Sequence, residues 1–382
     1  MRRDLRDLPV GELAGVAEAA GLKAYGARQL YDWLYRQGAT SFEAMTNLSA
    51  TVRARLAEAY DLRTMVPSTT QEARDGTTKL LFRLDTSRPP QAVSEHRERE
   101  GEAPPALPVE GATRAPQIET VVIPANRRDH SPRRTLCIST QAGCAMGCTF
   151  CHTGTMGLVR QLTQGEILGQ ILAARAMLAG RGEALTNIVL MGMGEPLHNY
   201  EQTVAAVRIM IDDRGLGFGK RRVTLSTVGL APAIRRLADE QLGTKLALSL
   251  HATTDEQRQA LIPMARKYPL REVLDACHYY CRRQTHRDAR VTFEYVLLRG
   301  VNDLPDDAHR LVRIASHLPS KVNLIPWNPY PGARWERPEE TRIGRFAELL
   351  QSSGIQVNTR ISRGQEILAA CGQLAVGPAR PE

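Results

Sequence analysis

The pattern of hydrophobic and polar positions divides the chain into a helical first part and a longer part in which strands and helices alternate. Between residue 1 and about residue 64, apolar residues recur at helical spacing, as Leu30, Trp33 and Leu34 do. The segment TTKLLFRLD (77–85) then alternates like a half-buried strand. The pattern predicts two or three short helices followed by the first strand of a sheet.

The composition changes over residues 86–116, which are rich in Pro, Glu, Arg and Ala and contain few large apolar side chains. Such a segment cannot bury enough apolar surface to offset the entropy of folding. We therefore predict a disordered insertion between the strand at 77–85 and the next strand, QIETVVIPA (117–125).

Six further strand patterns alternate with helical patterns over the rest of the chain. They are TLCIST (135–140), NIVLMGM (187–193), RVTLSTV (222–228), KLALSL (245–250), RVTFEYVLL (290–298) and KVNLIPW (321–327). The helix after the first of them has Thr163 as a candidate N-cap and Glu166 at the capping-box position. Six such units fit a partial parallel barrel, whose active site lies at the C-terminal ends of the strands. An open doubly wound sheet would give a similar alternation.

These patterns predict an α/β fold with three regions. Residues 1–76 form a small helical accessory domain that contacts RNA, and residues 77–134 form strands around the insertion. Residues 135–376 form the partial (β/α)6 barrel and a C-terminal segment that carries a functional cysteine.

Composition and charge narrow the class of protein. The chain has 382 residues, of which 42% are hydrophobic and 24% charged. It lacks an apolar run of membrane-spanning length, and its first residues lack the apolar core of a signal peptide. We therefore expect a cytoplasmic protein without membrane contact, in which clustered cysteines bind metal or do chemistry. A net charge of +9 fits either a polyanionic partner or an Arg-rich solvated surface.

Three of the seven cysteines, Cys144, Cys148 and Cys151, lie within eight positions directly after the strand TLCIST. Three thiolates can bind three irons of a cubane cluster and leave the fourth iron open. An open metal position is typical of a catalytic site. A zinc site with His152 as fourth ligand, or three unpaired thiols, would also fit these residues.

The C-x3-C-x2-C spacing, with Phe150 before the last cysteine, resembles the radical S-adenosylmethionine (SAM) enzymes. The resemblance implies a [4Fe-4S] cluster whose open iron binds the amino and carboxylate groups of SAM. The reduced cluster then cleaves SAM to methionine and a 5′-deoxyadenosyl radical. In the same way, the MGMGEP motif implies that Gly194 and Glu195 hold the methionine end of SAM. The residues that resemble the remaining ring of groups around SAM are Ser226, Ser249, Leu250, His251 and Asn328.

Two more cysteines narrow the resemblance to one family. The segment TLCISTQAGCAMGCTFC, together with AACGQL near the C-terminus, is similar to the adenine-C2 RNA methyltransferases of the radical SAM superfamily, over about residues 117–376. The resemblance assigns Cys371 as the methyl carrier (an S-methylcysteine intermediate) and Cys137 as the thiol that resolves it through a transient disulfide. It assigns Glu119 as the proton acceptor. Without the resemblance, a cysteine inside a strand is usually a small core hydrophobe.

The implied reaction consumes two SAM molecules per turnover, because C2 of adenine is electron-poor and cannot attack a methyl group directly. One SAM methylates Cys371. The radical from the second takes hydrogen from that methyl group, and the resulting carbon radical adds to C2. Glu119 removes the C2 proton, Cys137 attacks the Cys371 sulfur, and an external electron donor reduces the disulfide. The implied substrate is 23S rRNA, with tRNA as a second candidate, and we expect a monomer.

Two other functions fit the same motifs. One is methylation of adenine at C8, which uses the same cluster and both relay cysteines. The other is a non-catalytic RNA-binding iron–sulfur protein. Cys277 and Cys281, at i and i+4 of a helical pattern, are interpreted as core residues. Candidate contacts to RNA phosphates are Arg127, Arg128, Arg133, Arg134, Lys220, Arg221, Arg222, Arg235 and Arg236.

Overall fold

The computed structural model of the protein describes residues 2–23, 25–85, 115–126, 131–284 and 289–375. The insertion at 86–116 lies outside this part of the chain except for its last two residues, and Arg127 and Arg128 also lie outside it. What we predict for those positions stays a prediction, as do the three domain boundaries.

The first part of the chain is helical, as its apolar spacing predicts. It contains α1 (Leu13–Ala19), α2 (Gly26–Tyr31), α3 (Ala50–Ala59) and two short parallel strands, β1 (Arg3–Asp4) and β2 (Tyr60–Asp61). A π-helical turn, Asp32–Arg36, continues α2 and buries Leu34. The side-chain amide of Gln164 donates to the Arg6 carbonyl oxygen at 2.8 Å. This bond joins the helical part to the first helix of the barrel.

Ten strands of the described residues form one sheet, in the order β14-β13-β12-β11-β10-β9-β6-β5-β4-β3. Their bounds, with those of a separate hairpin β7–β8, are β3 (Thr69–Glu72), β4 (Thr78–Arg83), β5 (Gln117–Asn126), β6 (Pro132–Cys137), β7 (Gln141–Gly143), β8 (Leu158–Gln161), β9 (Asn187–Leu190), β10 (Val223–Thr227), β11 (Lys245–Ser249), β12 (Val291–Leu297), β13 (Ser320–Pro326) and β14 (Val357–Thr359). Within the ten-stranded sheet, β3, β4, β5 and β6 pair antiparallel with their neighbours. From β6 onwards, through β9 to β14, neighbouring strands pair parallel.

Helices follow each of the six strands that the sequence predicts. The later helices are α4 (His152–Thr155), α5 (Gln164–Ala179), α6 (Tyr200–Ile211), α7 (Ala231–Asp239), α8 (Asp255–Leu261), α9 (Leu270–Arg283), α10 (Pro305–Ser316) and α11 (Glu340–Ser352). The parallel strands are neighbours in chain order with no reversal, which is the arrangement of a partial (β/α)6 barrel and not of a doubly wound sheet. The predicted fold class is confirmed. The capping box of Thr163 and Glu166 is also present.

The core lies between the sheet and these helices. Strand β12 is buried along its whole length, and Cys277 and Cys281 are buried on α9, in agreement with core packing. In the described part of the chain, we find no helix of the length and apolarity that crossing a bilayer requires.

Candidate active site

A cavity lies at the C-terminal ends of the parallel strands, where a barrel places its active site. It contains about 990 Å³ of space between its atoms, part of it open to solvent. The predicted site residues that line it are Cys144, Cys148, Cys151, Gly194, Glu195, Ser226, Ser249, His251, Asn328 and Cys371.

Hydrogen bonds to backbone atoms of the loop that carries the three cysteines fix this loop at several points. Gly143 ends β7 with a φ of +72°, and a Cβ there would lie 1.9 Å from the Gly157 carbonyl oxygen. Glycine is therefore required where β7 approaches the chain after α4. The N–H of Cys144 donates to the same oxygen at 2.8 Å. Farther along the loop, the Trp327 indole N–H donates to the Phe150 carbonyl at 3.1 Å.

The three thiols fit an iron–sulfur cluster. Burial raises the pKa of Cys144 to about 12 and raises the pKa of Cys148 and Cys151 as well. They would therefore become thiolates only beside a strong positive charge, such as a metal centre provides. Thiolates are the ligands that iron–sulfur clusters use.

A mononuclear zinc site would need a fourth ligand beside the three cysteines. Among the residues that the structure describes, no group of three or more His, Cys, Asp or Glu side chains is placed to hold a single metal ion. The ring of His152, the proposed fourth zinc ligand, stacks on Tyr330 with ring centroids 4.6 Å apart. All three thiols line one cavity, as the ligands of a single multi-iron group would.

The MGMGEP motif places a carboxylate in the cavity wall. Gly194 has a φ of +100°, and a Cβ there would lie 2.5 Å from Gln141, so the turn requires glycine. The two carboxylate oxygens of Glu195 accept the backbone N–H groups of Leu197 at 3.0 Å and Val228 at 2.8 Å. Burial raises the pKa of Glu195 to about 7 despite these bonds. The carboxylate becomes ionised as the pH rises through neutrality and can then accept an ammonium group.

His251 is a neutral hydrogen-bonding group. Its Nδ1 accepts the Val296 N–H at 3.0 Å, so its ring proton is on Nε2. Burial lowers the pKa of His251 to about 3. The hydroxyl oxygens of Ser226 and Ser249 lie 3.5 Å apart on neighbouring strands. Leu250, in contrast, is fully buried and is not among the cavity-lining residues.

Asn328 holds the segment that carries Cys371. Its side-chain N–H donates to the Cys371 carbonyl at 3.0 Å, and its oxygen accepts the Gln365 amide at 2.9 Å. The Gly372 carbonyl accepts the N–H of His152 at 2.8 Å. These bonds tie the C-terminal segment both to the end of β13 and to the cysteine loop.

The two predicted relay cysteines come together, although 234 positions separate them in the sequence. Cys371 is solvent-accessible in the cavity wall, whereas Cys137 is buried at the end of β6. Burial raises the pKa of Cys137 to about 12, and the nearby Cys371 adds to the shift. Although part of the Cys371 residue is exposed, desolvation of its thiol by the surrounding cavity wall raises the pKa of Cys371 to about 11, and the charge of Arg360 opposes the shift. Both are therefore thiols at neutral pH in this arrangement.

Glu119 lies beside Cys137 because of strand register. Val121 of β5 pairs with Cys137, and Glu119 lies two residues along β5 on the same face. Oε1 of Glu119 forms an ion pair with Nζ of Lys79 at 2.9 Å. Oε2 is buried and has no hydrogen-bond partner among the described residues. Burial raises the pKa of this carboxyl, and the Lys79 charge opposes the shift.

Sequence reasoning missed three charged residues of this region. Lys79 is one of them, and alternation gives no signal for its burial, because it shares the face of β4 with the exposed Arg83 and not with the core residues Leu80 and Phe82. The other two, Glu294 and Arg360, line the cavity and lie 3.4 Å apart. Glu294 is a carboxylate inside an otherwise apolar strand, which is the signal that could have identified it. Arg360 directly follows β14 and carries no such signal.

Comparisons with known proteins agree with this site. Residues 138–312 match the family described as the radical SAM superfamily, and residues 3–62 match the ribosomal RNA large subunit methyltransferase N-terminal domain. The dual-specificity RNA methyltransferase RlmN of Gluconobacter oxydans is 43% identical over 380 residues, which cover 98% of this chain and 85% of the relative. RlmN of Anaeromyxobacter dehalogenans is 43% identical over 385 residues, with 99% and 94% covered.

A solved structure is also similar over nearly the whole chain. It is a radical SAM methyltransferase from Sphaerobacter thermophilus, 44% identical, with a TM-score of 0.83. The match covers 97% of this chain and 99% of that one. The helical first part, the barrel and the C-terminal segment therefore occur together in a related protein.

Proposed function

Because the chain belongs to the RlmN family of dual-specificity RNA methyltransferases, we propose that it forms 2-methyladenosine in 23S rRNA and in tRNA. The observation that carries the proposal is that Cys371 lies in the wall of the cavity that the three cluster cysteines line, with Cys137 near enough for the two thiols to influence each other. Glu119 is a diagonal neighbour of Cys137 on the adjacent strand. The family resemblance drawn from the motifs is confirmed. The roles of individual residues remain our proposal.

Cys144, Cys148 and Cys151 would hold the [4Fe-4S] cluster, and Gly194, Glu195 and the polar groups at the strand ends would hold SAM. When bound, the reduced cluster supplies the electron that cleaves SAM. The chain itself orients SAM between the cysteine loop and the Cys371 segment, and it limits access of water to the cavity. Asn328, assigned to SAM by resemblance, also positions Cys371 through the carbonyl bond at 3.0 Å.

Cys371 carries the methyl group and Cys137 releases it. Attack of the Cys371 sulfur on SAM gives S-methylcysteine and S-adenosylhomocysteine, with the thiol proton passed to solvent. After the methylene carbon has joined C2, Glu119 would take the C2 proton, and one electron would return to the oxidised iron–sulfur cluster, which restores the aromatic ring. Cys137 would then attack the Cys371 sulfur, the bond between that sulfur and the methylene carbon would break, and this carbon would take up a proton to become the methyl group. An external electron donor then reduces the disulfide to two thiols.

The product identifies the reaction. The protein should be loaded with cluster under anaerobic conditions and incubated with a reductant, unmodified rRNA or tRNA, and SAM whose methyl group carries three deuterons. We expect 2-methyladenosine with two deuterons, because one is abstracted before the carbon joins C2. A methyl group on C8 would indicate the alternative specificity. An intact trideuterated methyl group would contradict the relay. Binding of RNA with neither cleavage of SAM nor a methylated product would favour a non-catalytic RNA-binding iron–sulfur protein.

The cluster has its own test in Cys148→Ala. We expect the unaltered protein to bind about four irons per chain and the variant to lose most of this iron together with its visible absorbance. Cys281→Ala is the matched control, because Cys281 is a buried cysteine outside the cavity. Equal iron content in Cys148→Ala and Cys281→Ala would remove Cys148 from the ligand set.

A further inference from the structure

A second cavity lies at the opposite, N-terminal ends of the parallel strands. Lys245 is the first residue of β11, Arg290 directly precedes β12, and Lys321 is the second residue of β13. The pairing of Leu246 with Val291 places Lys245 and Arg290 at the same level of the sheet. All three line this cavity, which contains about 820 Å³ of space between its atoms, part of it open to solvent.

The charged side chains among the described lining residues are all cations. Arg221, in the turn before β10, contributes a fourth cation, and the described lining residues include no Asp or Glu. Lys245 and Lys321 have no ion-pair or hydrogen-bond partner among the described residues. Arg290 donates to the Gln356 side-chain oxygen at 2.6 Å, which orients its guanidinium without neutralising it.

Each of these positive charges makes the protonated form of the neighbouring lysines less favourable. Burial lowers the pKa of Lys245, and the charges of Lys321, Arg133, Arg221 and Arg290 lower it further. Burial likewise lowers the pKa of Lys321, and the negative charge of Glu294 on the neighbouring strand β12 partly opposes this shift. Clustered like charges destabilise a fold unless a counter-ion relieves them, so such clusters are typical of binding sites.

We propose that this second cavity is a phosphate-binding site, formed by Lys245, Arg290, Lys321 and Arg221. Cations from several elements surround one concave space, which suits a compact anion with more than one charge. Arginine forks pair with phosphate oxygens in bidentate fashion, and lysine adds a mobile point charge. The phosphate belongs either to a free phosphate compound or to the RNA backbone.

The proposal predicts that the cluster-loaded protein binds inorganic phosphate, measured by calorimetry and by the rise of Tm at constant ionic strength. The double variant Lys245→Gln/Lys321→Gln should bind phosphate at least tenfold more weakly. In phosphate-free buffer its Tm should equal or exceed that of the unaltered protein, because the repulsion is removed. Lys23→Gln, at an exposed position of the helical first part, should change neither quantity.

A second measurement identifies the source of the phosphate. If the double variant also binds substrate RNA more weakly and with a shallower salt dependence, the site holds the RNA backbone. If RNA binding is unchanged while phosphate binding is lost, the ligand is a free phosphate compound. Equal phosphate affinity in the double variant and the unaltered protein, or no saturable phosphate binding by either, would overturn the proposal.

Discussion

Replacement of Cys371 by alanine is expected to reduce the rate of RNA methylation by at least ~10³-fold, because alanine has no thiol that could accept the methyl group from SAM. Adenine C2 cannot attack SAM directly, so no second route remains at this site. The cluster cysteines are untouched in this variant, and reductive cleavage of SAM to 5′-deoxyadenosine should persist. Both quantities can be followed in one anaerobic reaction, by methyl incorporation into RNA and by chromatography of the nucleosides.

Two further variants separate the relay from a general loss of structure. Cys281→Ala removes a cysteine from the core away from the cavity and should retain methylation. Cys137→Ala should still form S-methylcysteine at Cys371 and join it to RNA, but it cannot release the product. A covalent protein–RNA adduct should then appear on a denaturing gel. Substantial methylation by Cys371→Ala would show that the methyl group travels another way.

The barrel was predictable because its signal is local. Each parallel strand is a short apolar run followed by an amphipathic helix, and the motif residues follow directly at the strand ends. The sequence alternation alone could not distinguish a barrel from a doubly wound sheet, since both contain the same units. The order of β6 and β9 to β13 decides this, and it depends on long-range pairing.

The contacts between charged groups were less predictable, because they depend on register across strands distant in sequence. Lys79 and Glu119 lie 40 residues apart and meet because β4 and β5 pair antiparallel, with Leu81 opposite Glu119. Alternation predicts the face on which each residue lies, but not which neighbour it meets. Arg360 reaches Glu294 from another element for the same reason. Asn328 shows a further limit. The motif predicted that it contacts SAM, but it did not predict the hydrogen bond from its side chain to the Cys371 carbonyl oxygen.

The pairing of Lys79 with Glu119 yields the second large effect. The two side chains are 10% and 5% exposed, and Nζ lies 2.9 Å from Oε1. Burial raises the pKa of Glu119, and the ammonium group is the main influence that lowers it. The backbone of Ala375 also lowers this pKa, and Oε2 is buried. We infer that Lys79 is a positioning residue that keeps the base ionised.

Replacing Lys79 by methionine should therefore lower the ionised fraction of Glu119 without removing the methyl carrier. Without the ammonium charge the pKa of Glu119 rises further, so the ascending limb of the pH–rate profile should move to higher pH. We expect methylation at neutral pH to fall by about 10²-fold or more, the usual contribution of a general base. S-methylation of Cys371 should be unaffected, and the protein–RNA adduct that awaits loss of the C2 proton should accumulate.

Lys79→Arg is the matched control, because it keeps the positive charge beside Glu119. It should recover most of the activity and return the ascending limb towards that of the unaltered protein. Breaking a buried ion pair can destabilise a fold by about 3–5 kcal/mol, so a purely structural effect would reduce S-methylation and adduct formation together with turnover. An unshifted pH profile in Lys79→Met, with no accumulated adduct, would contradict the role of Lys79. Accumulation of the adduct is the decisive readout, because forming the adduct requires an intact cavity, whereas resolving it requires both Cys137, which is unchanged in this variant, and an ionised Glu119.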